Sequence, residues 1–87
     1  MNPEQIVALG SFCEDLMRHD AFNALCDIYR HQAFQALMST QPHETKTREA
    51  IYSQVHSLQT FLALMANFVS QKEALLEGDD EQEQDTE

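Results

Sequence analysis

The chain has 87 residues and a mass of 10.0 kDa, with 15 acidic against 5 basic residues and a formal charge of −10. That length accommodates one small domain and excludes a Rossmann domain, a TIM barrel or any two-domain enzyme. With only five Lys and Arg, the charge argues against a nucleic-acid-binding surface, and equally against adsorption to an anionic membrane.

Only two Gly and two Pro interrupt the chain, and each sits where a helix would start, stop or weaken. The sequence predicts an all-α protein of three helices. The first opens on Asn2-Pro3-Glu4, which reads as N-cap, N1 and N2, and covers about residues 3–17. Its apolar stripe is Ile6, Leu9, Cys13 and Leu16, at 3-4-3 spacing, with Phe12 and Met17 beside it. Gly10 lies inside this helix at a cost of about 1 kcal/mol relative to Ala, unless it permits a close helix contact. Arg18-His19-Asp20 is a polar interruption, with Asp20 the expected cap of a second helix over about 20–38. Phe22, Leu25, Cys26, Tyr29, Ala33, Ala36 and Leu37 form its stripe, and Phe34 falls outside it.

Ser39 to Glu44 reads as a turn, because Pro42 disfavours helix at Gln41. The third helix covers about 45–77, from Thr45 as cap to Gly78 as the C′ residue. Ile51, Val55, Leu58, Leu62, Met65 and Val69 repeat in 4-3-4-3-4 steps, a coiled-coil seam. A second stripe of Phe61, Leu64 and Phe68 widens the apolar face of its later half. The short turn makes the second and third helices an antiparallel hairpin, and the first helix lies alongside residues 61–76. The alternative is that Phe61, Leu64 and Phe68 meet another subunit.

The charge is uneven. Residues 1–77 form the helical domain and carry a net −4, whereas residues 78–87 add six acids and no base. A segment with nothing apolar to bury is expected to be a disordered acidic tail. No apolar run approaches the ~18 residues of a membrane span. The N-terminal residues lack the basic-then-apolar layout of a secretory signal, so the two cysteines point to free thiols in a reducing compartment, the cytoplasm.

Little in the chain resembles catalytic chemistry. His19, His31, His43 and His56 are never three or four apart, so no two share a helix face as zinc ligands would. Cys13 and Cys26 fall on apolar stripes, where Cys behaves as a small hydrophobe. The acids suit local ion pairs, Glu14 with Arg18, Glu44 with Arg48, and Asp27 with Arg30 or His31. The expectation is a protein that is not an enzyme and uses no metal or cofactor.

Asp20-Ala21-Phe22, Tyr29, Pro42-x-Glu44-Thr45, Arg48-Glu49-x-x-Tyr52 and Leu58 together resemble small phage-encoded proteins of head and packaging gene modules. The likeness covers about residues 17–70. It implies a role in the virion or its assembly, as a minor capsid, connector or scaffolding component in the host cell and the virion. Arg48 then lies in the first turn of the third helix, beside the loop, and Tyr52 lies one turn on, next to Ile51. Both join Phe34, Phe61, Leu64 and Phe68 as candidate interface residues. The plainer expectation is that Arg48 pairs with a carboxylate and Tyr52 closes the end of the hairpin core. The expected partner is a second copy or another virion protein. The alternatives are an acidic inhibitor that mimics DNA on a basic enzyme site, and a small DNA-packaging subunit, which the charge disfavours.

Overall fold

The computed structural model describes the backbone of residues 1–85 and the side chains of residues 1–78. Three helices account for its regular structure: α1 (Pro3–Arg18), α2 (Asp20–Met38) and α3 (Thr45–Asp85). The all-α expectation and the order of elements hold. The end of α3 does not fall at Gly78, which has no positive φ and continues the helix instead of terminating it. A left-handed Gly is one way to end a helix, but the Glu- and Gln-rich sequence around it tolerates helical backbone. The tail expected to be disordered, residues 78–87, thus begins on a helical residue, and the side chains of residues 79–87 lie outside the described ones.

Each helix start is fixed by local hydrogen bonds. Asn2 Oδ1 accepts from Gln5 N–H at 2.9 Å while Gln5 Oε1 accepts from Asn2 N–H at 2.9 Å. This is a reciprocal capping box, with Pro3 at the position that needs no donor. The cap of α2 is His19, not Asp20. His19 has extended backbone, its Nδ1 accepts from Ala21 N–H at 3.2 Å, and its carbonyl accepts the first helical bond from Asn23. Asp20 is displaced into the first turn, where its carboxylate still complements the helix dipole. One extended residue therefore separates α1 from α2.

The turn before α3 is closed by Glu44 N–H donating to Gln41 C=O at 2.9 Å, with Pro42 second of its four residues. Glu44 Oε1 accepts back from Gln41 N–H at 2.9 Å, and the Glu44 carbonyl takes the first helical bond from Arg48. Glu44 is thus the capping residue in place of Thr45. At the other end of the turn, Ser39 and Thr40 donate to carbonyls of the last turn of α2.

The chain divides into two compact units. The first comprises residues 1–17 with residues 63–87, so α1 packs on the later part of α3. The second comprises residues 18–62, the hairpin of α2 and the earlier part of α3. The heptad seam of α3 is the inner face in both. Ile51, Val55, Leu58, Leu62 and Val69 are half-buried and Met65 is buried.

In the first unit, the inner positions of α1 are Ile6, Gly10, Cys13 and Met17, again in 4-3-4 steps. The sequence stripe placed Leu9 inside; it is 39% exposed, while Gly10 is buried. A Cβ at Gly10 would lie 2.6 Å from Lys72 Cβ and 2.7 Å from the Phe68 carbonyl. The backbones approach so closely there that only Gly fits, and the face of α1 turns to present it. In the second unit, small residues again face inward. Cys26 and Ala33 are buried, and Phe22 and Leu37 half-buried, while Leu25, Tyr29 and Ala36 at one edge of the expected stripe are exposed.

Candidate interaction surface

Among the described residues the buried apolar side chains are Cys13, Cys26, Ala33 and Met65, and none is large and fully enclosed. The large apolar residues lie elsewhere. In the hairpin unit Leu25, Ile28, Phe34, Met38, Tyr52 and Phe61 are each more than half exposed; in the other unit Phe12 is 62% and Leu64 49% exposed. Surface hydrophobes scattered singly need no explanation, but several at helical spacing around so small a core do.

The candidate interface residues named from the sequence divide between the units. Phe34, Arg48, Tyr52 and Phe61 belong to the hairpin; Leu64 and Phe68 belong to the unit built on α1. Phe34 is 59% exposed and Tyr52 70%. They line one groove of about 250 Å³, together with Arg30, Ala33 and Leu37 from α2 and Ile51 and Val55 from α3. The groove is walled by apolar side chains, and Ala33 leaves space where a larger residue would fill it. Tyr52 therefore does not close the core; its ring stacks on His56, with centroids 6.0 Å apart and planes 9° apart. Arg48 is half-buried and donates to Thr40 Oγ1 at 3.3 Å, while its expected partner Glu44 is turned back toward Gln41. Phe68 is half-buried beside Gly10, and Phe61 and Leu64 remain outside.

The charged side chains serve local ends. Of the two partners expected for Asp27, Arg30 pairs with it, 3.3 Å away on the surface of α2. Glu14 makes a contact that spacing could not show: Lys72 Nζ donates to its Oε2 at 3.1 Å, joining α1 to α3 with both side chains mostly buried. Two shallow grooves of the first unit, one lined by Met1, Gln5, Ala8 and Leu9 and the other by Pro3, Glu4, Val7, Leu75 and Leu76, hold a single charged side chain, Glu4.

Cys13 and Cys26 are free thiols. No group of three His, Cys, Asp or Glu side chains among the described residues is placed to hold a metal ion. No helix among them is long and apolar enough to cross a membrane. The side chains that the structure does bring together form apolar walls. The chemistry they offer is helix packing, and the class they define is a small all-α protein with an uncovered apolar groove. No family model matches the chain, and no curated protein or solved structure matches it.

Proposed function

We propose that this chain is a non-enzymatic assembly protein that works by helix–helix association, with copies of itself or on a larger complex. The observation that carries the reading is the imbalance, among the described residues, between a core of four buried apolar residues and the large apolar side chains left outside it. A small core supplies only about 3–5 kcal/mol, and self-association is one ordinary way such chains gain more. The likeness of residues 17–70 to phage head and packaging proteins supplies the setting: a minor capsid, connector or scaffolding component of the host cell and the virion. Light scattering on the full chain tests the mechanism. A defined oligomer is expected; a strict monomer at every accessible concentration overturns self-association.

A second reading draws on the charge. The residues of the first unit, with the acidic C-terminal segment, carry the whole net charge of the chain. On this reading the protein is an acidic inhibitor that occupies a basic site on an enzyme. Removing residues 78–87 decides how far that segment takes part: inhibition that survives the deletion removes it from the mechanism.

A further inference from the structure

The division of the chain into two units separates its charge in a way that composition conceals. Residues 18–62 contain four bases, Arg18, Arg30, Lys46 and Arg48, and four acids, Asp20, Asp27, Glu44 and Glu49. The hairpin unit is therefore electrically neutral. The formal charge of −10 falls on residues 1–17 and 63–87. Two copies that met through the acidic unit would bring like charges together, which opposes association; two that met through the neutral unit would not.

The neutral unit is also the one with the groove beside Phe34 and Tyr52. Its rim offers both signs of charge, since Arg30 is held by Asp27, so an identical surface can face it without a forced like-charge contact. Phe34 and Tyr52 are 59% and 70% exposed. At about 200 Å² for each whole side chain, they present roughly 260 Å² of mostly apolar surface. That is about a third of the ~800 Å² each partner buries in a standard interface, enough for its centre and with the rim left to polar neighbours.

We propose that the occupant of this groove is the same face of a second copy. Two α2–α3 hairpins pair about a two-fold axis, with Phe34 of each copy entering the groove of the other. The contact converts two separate helix pairs into a four-helix arrangement, in which the facing apolar stripes share one core. This inference rests on the reading of the protein as a self-associating one, and names the surface.

The test uses the full chain in size-exclusion chromatography with light scattering, and circular dichroism to verify folding. Wild type is expected to run as a dimer. Phe34→Asp and Tyr52→Asp keep their helicity, because both side chains are exposed, and each raises the dimer dissociation constant by about 30-fold or more. Ile28→Asp is the control: it lies about 120° around α2 from Phe34 and leaves the dimer intact. If wild type is oligomeric and Phe34→Asp and Tyr52→Asp leave it so, this face is overturned while self-association stands. If Ile28→Asp dissociates the oligomer as strongly as Phe34→Asp, the groove is not the specific contact. A wild type that stays monomeric overturns both the surface and the reading beneath it.

Discussion

Lys72 covers Gly10. The side-chain stem of Lys72 lies where the missing Cβ of Gly10 would be, and its ammonium continues to Glu14 one turn further along α1. One residue of α3 thus packs on the closest backbone approach in the first unit and carries its charge to the edge, as long cationic side chains do. The arrangement gives Gly10 a packing role in the middle of a helix.

Gly10→Ala is therefore expected to destabilise the protein although Ala favours helix by about 1 kcal/mol. The new methyl group meets Lys72 Cβ and a Phe68 carbonyl, neither of which is a flexible chain end. Overpacking of this kind costs about 1–3 kcal/mol, so the net loss is up to about 2 kcal/mol, read as a lower urea midpoint. Gly78→Ala is the counterpart. Nothing lies within 4 Å of that position, so the substitution should raise helicity and leave the midpoint unchanged or higher. A midpoint raised in Gly10→Ala as it is in Gly78→Ala would contradict the close packing.

The Lys72–Glu14 pair should show a measurable coupling. Its side chains are 19% and 23% exposed, so it is less screened than a surface pair and less costly than a buried one. A double-mutant cycle with Lys72→Met and Glu14→Gln is expected to give about 1 kcal/mol, falling as salt is added. The cycle removes whatever else either residue contacts. Zero coupling at low salt would show that the pair contributes nothing.

His19 is an unusual cap, and the adjacent Asp20 is of a preferred type. His19→Ala should lower stability by about 1 kcal/mol through loss of the acceptor for Ala21 N–H. His19→Asn should match or exceed wild type, since Asn is among the preferred caps. A thermal melt on the three proteins gives the order. If His19→Ala melts with wild type, Asp20 has taken over the cap.

Both thiols should be protected in the folded chain. Cys13 and Cys26 are 7% and 8% exposed, so a thiol reagent is expected to react slowly with native protein and rapidly after denaturation. Fast labelling of native protein at Cys26 alone would mean that the hairpin opens independently of the unit around Cys13.

The three helices, the Asn2 cap and the seam of α3 were legible because each depends on residues near in sequence; the caps of α2 and α3 each fell one residue before the expected one. Asn2 and Pro3 start a helix wherever they stand, and Pro42 stops one. Six seam residues at 4-3-4-3-4 spacing share a helix face whatever covers it. The Asn2–Gln5 capping box was also written in the sequence, as an Asn followed three residues later by Gln, and spacing alone could have found it. The exposure of Phe34 followed from its place off the stripe. Its neighbour across the groove, Tyr52, did not, because adjacency to a seam residue is equally consistent with closing the core or leaving it.

What the sequence determined by itself was therefore the class, the order of helices and the acidic balance. Tertiary structure decided the remainder. It turned α1 so that Gly10, not Leu9, faces α3, because backbone clearance depends on what lies opposite. It gave Lys72 to Glu14 across 58 residues, where helical spacing could propose only i,i+4 partners. And it split a chain of charge −10 into a neutral hairpin and an acidic remainder, since the total is a property of composition whereas its partition depends on which segments pack together.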